Sequence, residues 1–320
     1  MSVALGLNSW IAIGEEVTYG TPVTRTKFIE VDEESLQCKE TMIAKPTLRN
    51  VSQHHKTRSK RDVGGPFKFQ LGYEGAEKII KHAMGTMAAV SGAGPYTHAA
   101  TLASALPVGL TVECPRDDVA VTGDSAFLYD GCQISKLTLS QAVEDILMCE
   151  VEVVGRDRTL VAATSATFPD FYPIDWSQLV TFTVAGVSVA VESWDLTIEN
   201  ALASDRYKLG DRKRKGIGRS AARKISGKFT CEYEQLTEHA YFIAQDTLVA
   251  MAIGYSNGLA AGNLKTLAIA LPKVAIQGDD PVPSDSGPIK ITLAFEAFMS
   301  AATNDEMTLT LVNAQSVSQA

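Results

Sequence analysis

Residues 210–229 read GDRKRKGIGRSAARKISGKF, and three readings compete for them. Gly216-Ile217-Gly218-Arg219-Ser220-Ala221 has the letters of a dinucleotide-binding fingerprint, the surrounding Lys and Arg could meet nucleic-acid phosphates, and KISGKF looks like a strand. The fingerprint works when a strand enters the first glycine and a helix leaves the last, aiming the helix N-terminus at the pyrophosphate. Here the run DRKRK precedes it, a strand follows, and no βαβ pattern occurs along the chain. The stretch reads as a loop leading into a strand of a β fold.

The flanking sequence has the same character. VTFTVAGVSVAVE (180–192) alternates Val180, Phe182 and Val184, then Val187, Val189 and Val191, about Ala185-Gly186. That is the pattern of a β-hairpin with one buried face. ILMCEVEVVG (146–155) sets Leu147, Cys149, Val151 and Val153 against Met148, Glu150 and Glu152, and Ile289, Ile291, Leu293 and Phe295 repeat the alternation. Helical spacing is confined to 74–84, EGAEKIIKHAM, and 234–244, EQLTEHAYFIA.

These elements recur in one order. ESLQCKE (34–40), a basic stretch, FKFQLGYE (67–74), a helix, YDGCQISKLTL (129–139) and ILMCEVEVVG are followed by a second series. It runs ESWDLTIEN (192–200), a basic stretch, GKFTCEYE (227–234), a helix, LPKVAIQG (271–278) and IKITLAFEAF (289–298). Lys68-Phe69 matches Lys228-Phe229 and Tyr73-Glu74 matches Tyr233-Glu234 at one constant offset. The pattern predicts a duplicated, mainly β chain: two tandem β-sandwich domains, 1–165 and 166–320, each flanked by one α-helix and carrying a long basic loop. Pro169 and Pro173 mark a linker near 156–178. The first copy's basic stretch has no G-x-G-x-x-A, so the second copy's match is incidental.

With 45% hydrophobic and 21% charged residues, the 320-residue chain can bury a large core. No apolar run reaches the roughly 18 residues that span a bilayer, and the N-terminal stretch lacks a basic n-region, so synthesis in the cytosol is expected. Five scattered cysteines, with no C-x-x-C, predict neither a disulfide framework nor a zinc site. His54, His55, His82, His98 and His239 lack metal-ligand spacing, and Asp279, Asp280 and Asp285 sit in a Pro- and Gly-containing tip. No G-x-S-x-G elbow is present. No cofactor, metal or catalytic residue is predicted, and the chain is not read as an enzyme.

Charge is the remaining signal. Residues 206–224 hold nine Lys or Arg against one Asp, and 49–61 hold five against no acid. The two segments total +13 in a chain of net charge −8, so the remainder carries −21. Basic loops on an acidic body suit docking onto another copy. Solvation of a disordered loop and sequence-independent phosphate binding remain open as alternatives, although Tyr207 is the sole ring in 206–224 for stacking bases. The docking candidates are Arg49, Lys56, Arg58, Lys60 and Arg61, with Arg206, Lys208, Arg212, Lys213, Arg214, Lys215 and Arg219.

WIAIGEEVTYGTPV (10–23), AVESWDLTIENAL (190–202) with Asn200 before the basic loop, and YDGCQISKLTLS with ILMCEVEVVG (129–155) resemble the tail tube (major tail) proteins of long-tailed bacteriophages. The C-terminal tail MTLTLVNAQSVSQA and the insert GDDPVPSDSG depart from that pattern. The resemblance implies the lambda-type tube fold in double-domain form. It implies a virion structural protein, made in the host bacterial cytoplasm, whose six sheet domains per ring come from three copies. Stacked rings then enclose the tape measure protein, meet tail terminator and distal tail proteins at the ends, and pass double-stranded DNA as cargo during ejection. No membrane partner is implied. Glu150 and Glu152 are the candidate lumen residues. A secretion tube protein of the Hcp type, sharing the fold, is an alternative.

Overall fold

The structure is a computed structural model that describes residues 9–45, 48–49, 55–88, 94–116, 125–168, 171–233, 248–278, 282–283, 287–301 and 305–315. The first half contributes β1 (Trp10–Glu15), β2 (Lys27–Glu30), β3 (Glu33–Glu34), β4 (Gln37–Ala44) and β5 (Lys56–Gln70). Helix α1 (Glu77–Met84) follows, then β6 (Gly85–Met87), β7 (Tyr96–Leu102), β8 (Leu110–Pro115), β9 (Ala126–Ala142), β10 (Met148–Gly155) and β11 (Asp157–Val161). The second half contributes β12 (Leu179–Val184), β13 (Val187–Ser188), β14 (Val191–Glu199) and β15 (Lys224–Glu232). It ends with β16 (Val249–Ser256), β17 (Thr266–Gln277), β18 (Lys290–Ala297) and β19 (Thr308–Asn313). The pairing is antiparallel, and α1 is the single α-helix among the described residues.

One file of strands runs through both halves in the order β4-β5-β10-β9-β14-β15-β18-β17. The registers repeat as the sequence does: Phe69 faces Cys149 and Phe67 faces Val151, while Phe229 faces Leu293 and Gly227 faces Phe295. The halves are joined where β9 meets β14, with Leu139 opposite Leu196, Thr138 opposite Thr197 and Leu137 opposite Ile198. Residues 126–132 of β9 run on to pair with β8 and β11 instead, so this 17-residue strand belongs to both packed layers.

Strand alternation places the core. In β10 Cys149, Val151 and Val153 are buried while Glu150 and Glu152 are exposed. Phe67, Phe69, Leu137, Leu139, Leu196, Ile198, Phe229, Leu293 and Phe295 share the inner face and are all buried, each worth about 1.5–3 kcal/mol of burial free energy. Helix α1 covers the first-half part of that face, while Phe182 of β12 packs on Phe229 in the second half. Ile79, Ile80, Ala83 and Met84 of α1 meet Leu137, Leu139, Cys149, Ile198 and Leu309 around one small cavity.

The C-terminal strand β19, which the family pattern leaves unplaced, pairs with β7 of the first half, Leu311 opposite His98. Its buried Asn313 donates to the Tyr73 carbonyl and to Glu77 Oε1, both at 2.7 Å.

Several expectations need correction. The basic stretch at 49–61 is not all loop: β5 begins at Lys56, because Thr57 and Arg58 pair with Ile43 and Met42 of β4 in a long exposed hairpin. The expected linker contains strand β11, paired to β9, and Pro173 sits in a bridge with Gly72. The hairpin at 180–192 forms about Ala185 (φ 53°) and Gly186 (φ 80°). Phe182 and Val184 are buried, whereas Val187 faces solvent on the two-residue strand β13 and Val180 faces solvent at the register shift between Leu179 and Thr181 of β12. The helix expected at 234–244, along with His54, His239, Asp279, Asp280 and Asp285, lies outside the described residues.

Candidate assembly surface

The segment 200–223 between β14 and β15 folds back onto the first half. It starts at Asn200, whose buried side-chain amide donates to the carbonyls of Ala83 (2.9 Å) at the end of α1 and Ile134 (3.1 Å) in β9. The loop is closed on itself by Lys215 N–H to the Arg206 carbonyl (3.0 Å) and Ala203 N–H to the Gly218 carbonyl (2.7 Å). Gly216 and Gly218 hold no phosphate-cradling turn: loop continues through both, and strand β15 follows at Lys224.

Arg214 is the centre of this clasp and is only 3% exposed. Its guanidinium donates to the carbonyls of Ser204 (2.6 Å), Val63 (2.8 Å) and Gly155 and pairs with Asp62. Around it Tyr207 Oη donates to the Arg61 carbonyl (2.8 Å), Arg61 N–H to the Arg212 carbonyl (2.9 Å), and Arg212 Nε to the Ser59 carbonyl (3.0 Å). Arg61 and Arg212 each reach Glu40 at 2.6 Å, and Arg61 and Lys213 converge on Asp157. Arg219 donates to the carbonyls of Ala103 (2.8 Å) and Ser104 (2.7 Å) and to Asn200 Oδ1 (3.2 Å).

The electrostatics follow from these contacts. Burial pushes the Asp157 carboxyl up, but hydrogen bonds from Lys213, the Arg158 backbone and Arg61 outweigh it and hold the group below the usual carboxylate range. The hydrogen bond from Arg61, with that from Arg212, likewise holds Glu40 low. Nearby Asp130 behaves oppositely. Burial, with the charge of Asp157 beside it, pushes its carboxyl up to about 6.

The predicted docking residues therefore divide. Arg61, Arg212, Lys213, Arg214 and Arg219 are engaged inside the chain, whereas Arg49, Lys56, Arg58, Lys60, Arg206, Lys208 and Lys215 are exposed. Lys60 also lies 4.6 Å over the Tyr207 ring. Glu40, Asp62 and Asp157, which receive the internal cations, were not singled out from sequence. Their signal was the acidic excess outside the basic segments.

Glu150 and Glu152 lie on the face of the file that points away from the core. Their cross-strand neighbours there are Lys68 and Lys136. Asp195 likewise faces Lys228, and Glu199 faces Lys224 and Lys136. Thr138 with Thr197 (3.1 Å) and Thr230 with Thr292 (2.9 Å) fill positions between these charges. Opposite charges directly across a strand pair stabilise it and cancel each other's field. Among the described residues no group of His, Cys, Asp or Glu could hold a metal, and no helix is long and apolar enough to cross a membrane.

A family profile described as phage tail tube protein matches residues 6–297, spanning both halves of the strand file. The chain belongs to the phage tail tube protein family. Comparison with curated proteins gives no match. As a tail tube protein it is a structural component of the virion tail, and its family role is self-assembly into the tube.

In this tail tube protein the file ends in two edges that correspond to the strands joined at its middle. Lys136, Leu137 and Thr138 of β9 face Glu199, Ile198 and Thr197 of β14. Glu152 faces Lys136 as Glu296 faces Ala275, so the counterparts of the β9 residues are Ala275, Ile276 and Gln277. Gly64 faces Gln37 as Lys224 faces Glu199, so the counterparts of the β14 residues are Gln37, Leu36 and Ser35. Leu36 and Ile276 are buried like Ile198 and Leu137, with polar or small residues on either side. Strand β17 pairs with β16 and β19 at 266–274, but among the described residues no strand pairs with the outer side of Ala275-Ile276-Gln277 or of Ser35-Leu36-Gln37.

Proposed function

We propose that three copies of this tail tube protein close into a ring by repeating, between copies, the strand joint that β9 and β14 make within one chain. Each chain supplies two sheet modules, so three supply a pseudo-sixfold ring. The observation that supports this reading is the matched pair of open edges: Ser35-Leu36-Gln37 of one copy has the alternation that Ala275-Ile276-Gln277 of the next requires. A heterologous edge of this kind closes when the rotation per module divides a full turn, and closure removes the edges that would otherwise recruit strands indiscriminately.

Stacked rings form the tube through which double-stranded DNA passes on ejection, with the tape measure protein inside during assembly and tail terminator and distal tail proteins at the ends. The file face that carries Glu150 and Glu152 lines the bore. Its acids and lysines are neighbours of opposite sign, so no run of unpaired cations is left there to hold phosphates and brake the DNA. The exposed Arg49, Lys56, Arg58, Lys60, Arg206, Lys208 and Lys215 serve contacts between subunits.

Negative-stain electron microscopy of the concentrated protein tests the reading: tubes of stacked rings are expected. A dispersed monomer at all salt concentrations, retained on DNA in a salt-dependent way, supports a nucleic-acid-binding role instead and defeats the tube.

A further inference from the structure

The β4–β5 hairpin projects from the first half with its apolar side chains uncovered: Met42 is 59% exposed, Ile43 44%, and Leu48 near the tip is fully exposed. At the far end of the molecule, Phe298 and Met299 stand 42% and 59% exposed just beyond β18. Their backbone is fixed, since Phe298 N–H donates to the Lys273 carbonyl at 2.8 Å. Among the described residues nothing of the chain covers either patch.

The register relates the two patches. Glu152 faces Pro66 as Glu296 faces Ser226, so Met299 stands three residues beyond Glu296 as Gly155 stands beyond Glu152. Within the chain, the position at Gly155 is covered by the connection 200–223 that follows β14, through Arg214 on the Gly155 carbonyl. The counterpart of that connection is the one that follows β3, namely the β4–β5 hairpin. A ring built by repeating the internal joint brings one copy's hairpin over the preceding copy's Phe298 and Met299.

We infer that Phe298 and Met299 form the seat for the β4–β5 hairpin of a neighbouring copy, with Met42, Ile43 and Leu48 as its apolar anchors; this rests on the ring reading above. The two contacts are equivalent in position and opposite in chemistry. At the internal one, a Cβ on Gly155 would lie 2.7 Å from Val63 Cγ1, so no side chain fits and a guanidinium reaches main-chain oxygen. At the external one two large apolar side chains stand out from the surface, and the arriving hairpin bares Met42, Ile43 and Leu48 among exposed residues that are otherwise mostly polar or charged. Burying such side chains on both partners is favourable by the usual area dependence. The difference also gives direction, because an Arg214-bearing loop cannot take the hairpin's place.

The test places the photocrosslinking residue p-benzoylphenylalanine at Ile43 in full-length protein, in assemblies mixed from isotopically light and heavy chains. Irradiation is expected to yield light–heavy cross-linked peptides joining residue 43 to the segment containing Phe298 and Met299. In parallel, the double variant Phe298→Ser with Met299→Ser is expected to keep the parent's thermal transition and circular dichroism while raising the concentration needed for tube formation by roughly tenfold or more. Normal three-copy rings with cross-links confined to the same chain or to another surface overturn the seat and leave the ring reading standing. Absence of rings from the parent protein overturns both.

Discussion

Leu196 of β14 stands directly opposite Leu139 of β9, and both are buried where the two halves become one sheet. The halves therefore share a core, and removing either side chain weakens both. Leu196→Ala is expected to lower the unfolding free energy by about 3 kcal/mol, while urea denaturation followed by fluorescence and by circular dichroism still shows one coincident transition. Two separated transitions would show that the halves fold independently.

Arg214 ties the 200–223 segment to main-chain oxygens of both β5 and β10. Replacing it with Ala leaves the buried Val63 and Gly155 carbonyls without that donor, a loss of about 3 kcal/mol. Hydrogen exchange should rise across 203–219. Lys215→Ser touches an exposed side chain and is expected to change stability by less than about 0.5 kcal/mol. Equal effects from the two variants would contradict the assignment of Arg214 as the centre of the clasp.

Leu36, at the open edge, has its N–H held by Glu34 Oε1 at 2.6 Å, while Glu34 Oε2 pairs with Arg116 at 2.6 Å. At the internal joint the position corresponding to Glu34 is Leu196, facing Leu139. An inward-pointing carboxylate at an edge discourages strand addition. Glu34→Leu is expected to lower the concentration at which light scattering reports assembly. A higher threshold in a protein of unchanged fold would rule out Glu34 as an edge guard.

Two carboxylates give opposite pH responses. His82 and Lys81 hold the Glu15 carboxyl down to about 2 against the opposing effect of burial. Its contribution is present above about pH 4.5 and is lost as pH falls towards 2. Burial raises Asp130 to about 6, so the folded state favours its protonated form, and that contribution is lost as pH rises through 6. Denaturant titrations from pH 3 to 8 should show Asp130→Asn more stable than the parent at pH 7 and no more stable at pH 4. Glu15→Gln should flatten the acid limb below pH 4.5.

Much of this fold was legible because a strand writes its burial into a two-residue period. Cys149, Val151 and Val153 announced their inner face, and the Lys68-Phe69 and Lys228-Phe229 echo announced the repeat. The β4–β5 hairpin was not legible as strand. It is solvated along most of its length, so it has no apolar period, and its charge read as loop. Arg214 was visible as a cation but not as a buried one, since two of its acceptors are the carbonyls of Val63 and Gly155, which carry no residue signature. The edge positions became recognisable only when pairing supplied the correspondence between Leu36 and Ile198.

The most direct measurement of the central claim is a disulfide trap at the proposed ring joint, Ser35→Cys with Gln277→Cys. These positions correspond to Thr197 and Thr138, which face each other within the chain. After oxidation of assembled protein, denaturing electrophoresis without reductant is expected to show a closed covalent species of three chains that reverts to one on reduction. Assembled tubes that give only single chains, or open ladders beyond three, would contradict a three-copy ring built by repeating the β9–β14 joint.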